Sequence, residues 1–293
     1  MPTTTPIQLQ LKNILVPVDF SSRSDRAVKL ARALAQQHGA MVHLANVIET
    51  FDVAGTSRHS TRKLDLEKAM TDFGSIEKHL GATKHTRVVL DGDVNACLLG
   101  AIEERDIDLV VMTTGGIQGC ERLLMGSVTE ELFREAPCPV LAVGPKAADQ
   151  YSDFASFSKV LYPMEITPSS IAAVQYVVGL AHRYGTRLTL LHVVHPDIQS
   201  PSERQRMRER ISSELRTFFP ESLQQSIDTV VEFGPVAETV VEFALSKRAD
   251  VVVLGVRSGG AFTRSSTHIL WSIAHRIIAE APCPVLTIRN SGD

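Results

Sequence analysis

The chain has 293 residues and a net charge of −3 at neutral pH, so it offers no basic footprint for nonspecific nucleic-acid binding. No apolar run approaches the roughly 18–20 residues that span a bilayer, and neither end leads a charged segment into an apolar signal core. The expectation is a cytoplasmic protein, with neither nucleic acid nor membrane as a partner, long enough for two domains of about 150 residues each.

The first half opens with a strand over Ile14–Val18. A helix follows, in which Ala27, Leu30, Ala31, Leu34 and Ala35 recur at three- and four-residue spacing and Gly39 supplies the stop. A second strand covers about 41–48, and a polar stretch, 50–62, leads to a helix ending near Leu80. A third strand lies near 86–90, and a helix runs from about Val94 to Glu104. Leu109–Met112 is continuously apolar, as a central parallel strand covered on both faces must be. A helix pattern, VTEELFREA, then leads to a similar apolar run, Val140–Val143. Strand and helix alternate throughout, which predicts an α/β fold with a doubly wound, five-stranded parallel sheet.

The segment 145–157 lacks periodicity and reads as a linker, after which the same order returns. KNILVPVDFS reappears as SKVLYPMEIT with Pro17 matching Pro163; DLVVM returns as DVVVL, and APCPVLAV as APCPVLTI. The offset stays between 142 and 146 residues, far longer than a solenoid repeat of about 20–50 residues, so this is a duplicated domain, 1–146 and 157–293. Strands are expected near Val160, 188–194, 229–232, 251–254 and 285–288. The arginine-dense stretch 203–216 carries interspersed glutamates and an apolar stripe at Ile211 and Leu215, the pattern of a solvated helix.

The four cysteines, Cys97, Cys120, Cys138 and Cys283, form no C-x-x-C pair. Two stand in equivalent PCPV contexts and read as small buried hydrophobes. The histidines show no metal-ligand spacing; His43, His192 and His195, in or beside the second strand of each half, read as structural, and no metal site is expected.

In a doubly wound sheet, ligands bind beyond the carboxyl ends of the strands where strand order reverses. The loops that follow strands one and four are therefore the candidates: Pro17 to Ser21, and Thr113 through Gly116 to Gly126-Ser127-Val128-Thr129. Glycines there let the backbone approach an anion, and a helix N-terminus at Gly126-Ser127 favours a phosphate. Two readings stay open at each place. Ser127 with Glu130 makes a capping box that needs no ligand, and Asp19 at a strand end can cap the following turn.

The spacing Gly116, nine residues, Gly126-Ser127, together with ILVPVDFS, GSV and APCPVL, resembles the ATP-binding type of the universal stress protein family. The resemblance covers the whole chain as two tandem domains and implies an adenine nucleotide α-hydrolase-like, Rossmann-like fold. It implies that Asp19 bonds the adenine edge, that Pro17, Val47 and Met112 wall the base, and that backbone at Thr113 and Gly116 meets ribose and phosphates. Gly126, Ser127, Val128 and Thr129 would hold the phosphate tail. Thr113 departs from the family's first glycine, and a β-branched residue resists positive φ, so either the turn falls at Gly115 or ribose contact weakens.

The second half departs further. Glu165 replaces Asp19, the loop after the fourth strand reads Gly255-Val256-Arg257-Ser258, and Trp271-Ser272 stands where Gly126-Ser127 does. The expectation is that Trp271 fills the vacated place and that this half has lost nucleotide binding. The resemblance thus implies a stress-response regulatory protein that binds ATP, ADP or AMP in the first domain, with Mg²⁺ as a candidate companion of ATP. The second domain would serve as a built-in dimer partner, and the chain would form a homodimer and act through a further protein partner. With no Walker lysine and no histidine-based site, an enzyme is not expected. The alternatives are a slow ATPase and a scaffold that no longer binds nucleotide.

Overall fold

The computed structural model describes residues 11–49, 58–114, 127–148, 157–167, 170, 174, 177–179, 181, 185–194, 200–219, 227–257 and 271–290. Side chains at 58–63, 127, 256–257, 271 and 289–290 lie outside that description.

In the first half the strands are β1 Asn13–Pro17, β2 Met41–Ile48, β3 His85–Asp91, β4 Leu109–Thr113 and β5 Val140–Val143. The helices are α1 Ser24–His38, α2 Arg58–Ile76, α3 Val94–Glu104 and α4 Ser127–Glu135, with a short 3₁₀ turn at Glu77–His79. All strand pairs are parallel, in the order β3-β2-β1-β4-β5. Covered on both faces, Leu109, Val110, Val111 and Met112 are at most 4% exposed, which is why that run lacks polar alternation.

The apolar stripe of α1 is buried as its spacing requires, and Gly39 ends the helix at φ 70°, donating to the Ala35 carbonyl. Helix α2 starts at Arg58, inside the stretch read as polar loop. At the amino end of the sheet, Asp108 Oδ2 accepts from the Lys12 and Asn13 N–H groups at 2.7 and 2.8 Å and ties β4 to β1.

The second half has β6 Lys159–Pro163, β7 Arg187–Val194, β8 Ile227–Phe233, β9 Val251–Arg257 and β10 Val285–Asn290, ordered β8-β7-β6-β9-β10, again parallel. Its described helices are α5 Pro201–Arg216, α6 Val236–Lys247 and α7 Trp271–Glu280; residues 170, 174, 177–179 and 181 are also helical. Helix α5 buries Ile211 and Leu215, leaves Arg206 and Arg210 exposed, and lays the half-buried Arg204 and Arg208 over the Phe233 ring. The repeat extends to single hydrogen bonds: Asp250 Oδ2 accepts from Lys159 N–H at 2.8 Å, as Asp108 does from Asn13.

Two compact units result, with 144–148 grouped with the second. There the Ala148 N–H donates to the Pro282 carbonyl at 3.2 Å, and a Cβ on Gly144 would overlap the Ile278 carbonyl. Cys283 is fully buried and its thiol is pushed up to about 12 by burial, whereas Cys138 is only half-buried, so the paired reading holds for one of the two. Cys97 is half-buried as well, and Cys120 lies outside the described residues.

Candidate functional site

The β1–β2 ladder runs from Asn13↔Met41 to Pro17↔Ala45, but the β1–β4 ladder registers only Ile14↔Leu109 and Leu15↔Val110. The two central strands therefore stop pairing before Pro17 and Met112. Strand order reverses at this place, so their carboxyl ends flank the crevice that such sheets use for ligands. Paired residues of parallel strands share a face and side chains alternate along each strand. Pro17, Val47 and Met112 consequently stand on one face at one end of the sheet, although they are up to 95 residues apart in the chain. Met112 is buried, while Pro17 and Val47 are half-buried.

The β1 exit is fixed from β2. Val18 N–H donates to the Ala45 carbonyl at 2.8 Å, and the Asn46 side-chain amide donates to the Val18 carbonyl at 2.8 Å. Asp19 then takes three hydrogen bonds on one oxygen: Oδ1 accepts from Ser21 N–H at 3.0 Å, Ser21 Oγ at 2.6 Å and Ser24 Oγ at 2.6 Å. The turn-capping role is thus occupied. Burial disfavours the charged form, but these bonds outweigh it, helped by Arg23, and hold the carboxyl below the ordinary aspartate value. The next residue, Phe20, adopts φ 57° and sets its ring edge-on to Phe73 at 5.0 Å.

On the other side of the crevice, Thr113 is the last residue of β4, paired with Val143, and its φ is not positive. The β-branched residue therefore sits in extended backbone that suits it. Thr114 falls inside the candidate loop but is not among the contact residues named from the sequence. Its N–H continues the ladder to the Val143 carbonyl at 3.2 Å, the residue is 7% exposed, and Oγ1 is buried with no hydrogen-bond partner among the described residues. Strand alternation turns Thr114 to the face of Met112, and a polar residue at that position of an apolar run was the available signal.

Gly116 and Gly126 lie outside the described residues. Ser127 opens α4; Val128 is half-buried and Thr129 is buried in its first turn. Glu130 Oε1 lies 3.3 Å from Arg134, one turn along the helix. Asn95 of α3 donates to Glu131 and so links α3 to α4 at this end of the sheet.

In the second half Glu165 stands at the equivalent of Asp19, and burial pushes its carboxyl up. His192 Nδ1 bonds the Met164 carbonyl at 3.0 Å, the counterpart of Asn46 on Val18, and His43 bonds Thr86 and Asn13, so both rings are structurally engaged. His195 lies outside the described residues. The loop expected at Gly255-Val256-Arg257 is instead strand: β9 runs on to Arg257 because Gly255, Val256 and Arg257 pair with Ile288, Arg289 and Asn290. Trp271 opens α7, and its side chain lies outside the described residues.

Among the described residues no three His, Cys, Asp or Glu side chains gather as a metal site, and no helix is long and apolar enough to cross a membrane.

The sequence profile of the universal stress protein family matches residues 10–144 and again 156–289. Over 139 residues the chain is 31% identical to a universal stress protein of Methanocaldococcus jannaschii, covering 45% of this chain and 81% of that one. A universal stress protein of Thermus aquaticus is 32% identical over 134 residues, covering 45% of this chain and 98% of its own. The structure of a universal stress protein from Archaeoglobus fulgidus has the same fold at a TM-score of 0.69, over 96% of this chain and 99% of that one, at 19% identity. With both halves matched in tandem, the chain belongs to the universal stress protein family.

Proposed function

We propose that the first domain binds ATP or a related adenine nucleotide and that occupancy, rather than turnover, is the regulatory signal. The observation that carries this reading is the Thr114 hydroxyl, buried without a partner beside the crevice on the face that Pro17, Val47 and Met112 share. An unsatisfied buried hydroxyl costs about 1–3 kcal/mol, a cost a ligand atom would remove. The apolar trio offers a flat wall for a base. Asp19 keeps Oδ2 clear of the three bonds on Oδ1, so one carboxylate can hold its own turn and accept from an exocyclic amine. The backbone at Thr113 and Gly116, and the start of α4 with Ser127, Val128 and Thr129 after Gly126, would meet ribose and phosphates. A Mg²⁺ ion arriving with ATP would be held mainly by the phosphates.

In this reading the protein is not an enzyme. A general base needs a proton affinity near the working pH, and Asp19 is shifted away from it. The second domain serves as an intramolecular partner of the first, and the chain forms a homodimer in the cytoplasm.

The test is mass spectrometry of copurifying nucleotide, followed by calorimetry and phosphate release with added ATP. Bound nucleotide without turnover is the expected result. Thr114→Val should weaken binding by about fivefold to fiftyfold while leaving the fold intact, since it removes an unpaired hydroxyl and keeps the branched shape. Steady phosphate release abolished by Gly126→Trp would move the protein to the ATPase class, and absence of binding would make it a scaffold.

A further inference from the structure

Strand β3 ends the strand order of the first half, so one of its edges has no neighbouring strand. The ladder fixes which groups point outward there. Val42 N–H donates to the Lys84 carbonyl at 3.0 Å and Gly92 N–H to the Ile48 carbonyl at 3.1 Å, so alternate residues from Lys84 to Gly92 turn their backbone groups to β2. His85, Arg87 and Val89 turn theirs away. Their backbone N–H and C=O groups have no hydrogen-bond partner among the described residues. Such a row is a template for another strand.

The same edge of the second half is occupied. Gly234 N–H donates to the Val194 carbonyl, which turns the Val231 backbone outward, and Arg208 of α5 donates through Nε to the Val231 carbonyl at 3.1 Å. Val89 is the counterpart of Val231, and its carbonyl has no such bond. Nor does Arg87 guard the edge of β3. Its Nε and Nη2 bond the Glu77 carboxylate at 2.6 Å each and its guanidinium lies 5.9 Å from the Phe73 ring centre, so the side chain is folded back on α2 and the turn that ends it.

Helix α2 sets apolar side chains along this edge. Leu66 and Met70 are 43% and 42% exposed and stand one turn apart, on the flank that continues to Glu77. Glu77 meets Arg87 and, at 3.4 Å, His85, both on β3, so that flank borders the open edge. Covering the two side chains would remove apolar area from water.

The sequence of β3 complements itself in reverse. Antiparallel pairing about Val89 sets Val89 opposite Val89, Val88 opposite Leu90, and Arg87 opposite Asp91 of the second copy, an opposite-charge pair on each side of the axis. Pairing about Arg87 would oppose like charges instead. The two-fold axis of such a pair stands perpendicular to the sheet, so both α2 helices lie on one face and their Leu66 and Met70 side chains approach one another. Two identical edges satisfy each other, and assembly closes at two copies.

We propose that two copies of this chain join through β3, edge to edge and antiparallel about Val89, with Leu66 and Met70 of the two α2 helices covering one face of the seam. This surface rests on the homodimer of the proposed function and is independent of nucleotide binding.

Sedimentation equilibrium of the full chain, with hydrogen exchange at high and low concentration, tests it. The expected wild type is a dimer in which the Arg87 and Val89 amides exchange more slowly as concentration rises. Val89→Pro removes an outward N–H and no bond of the β2–β3 ladder, so it should keep the circular dichroism of the wild type and weaken the dimer by about tenfold or more. Leu66→Glu combined with Met70→Glu, at exposed positions, should do likewise. Leu245→Glu, at an exposed leucine of the second half, should leave the dimer unchanged. A dimer as tight as wild type in either folded β3-edge variant would overturn this surface and leave the homodimer standing. A wild type that stays monomeric throughout would overturn both and leave the edge to a strand of a different protein.

Discussion

Asp19 and Glu165 occupy the same position in the two copies and titrate in opposite directions. Burial opposes ionisation at both, but only Asp19 has two hydroxyls and an N–H turned toward its oxygen, so its carboxyl is lowered while that of Glu165 is raised. The linkage signs follow. The lowered group contributes stability that is present above the unfolded value of 3.8 and is lost as pH falls through the folded one. The raised group contributes most below its unfolded value of 4.5 and loses that contribution as pH rises through the folded one. Asp19→Asn should therefore destabilise the protein at pH about 7, the difference from wild type shrinking below the ordinary aspartate value of about 3.9. Glu165→Gln should stabilise it at pH about 7, the gain vanishing below about pH 4. Urea midpoints across pH read both, and parallel pH profiles for the two variants would contradict the assignment.

Helices α3 and α6 repeat one element with different starts. Asp93 caps α3, its Oδ1 accepting from Ala96 N–H at 2.9 Å, whereas the equivalent Pro235 of α6 has no side-chain acceptor. Asp93→Ala should cost about 1 kcal/mol, and Pro235→Ala should not show that loss. Both follow from urea denaturation at constant slope, and equal effects would show that the cap does not set the stability of α3. The turns before these helices share a device: Gly92 at φ 137° and Gly234 at φ 159° donate to Ile48 and Val194, the last residues of β2 and β7.

Element identity and order were legible in the chain because burial on both faces writes continuous apolar runs, and because each element occurs twice. What escaped depends on neighbours remote in sequence. Strand β9 is prolonged by pairing with β10, Cys138 is less covered than its twin, and the Thr114 hydroxyl is orphaned by what does not surround it.

At the scale of the whole molecule, the duplication bears on the stoichiometry of the proposed nucleotide binding. Each half keeps the sheet, the reversal of strand order and the amino-end aspartate clasp, so architecture alone would permit two nucleotide sites per chain. Chemistry argues for one. The Asp19 position carries a glutamate whose charged form is disfavoured, and Thr113 and Thr114 are replaced by Gly255 and Val256, which carry no hydroxyl. The residue opening the last helix is a tryptophan where the first half has Gly126-Ser127. A carboxyl held in its charged form, an unpaired hydroxyl and a glycine of the matched motif are replaced together, so no single reversion should restore the second site. Calorimetry should give one adenine nucleotide per chain, falling to none in Gly126→Trp and staying at one in Trp271→Gly. Two equivalent sites in the wild type would mean that the second crevice binds by contacts other than those of the first.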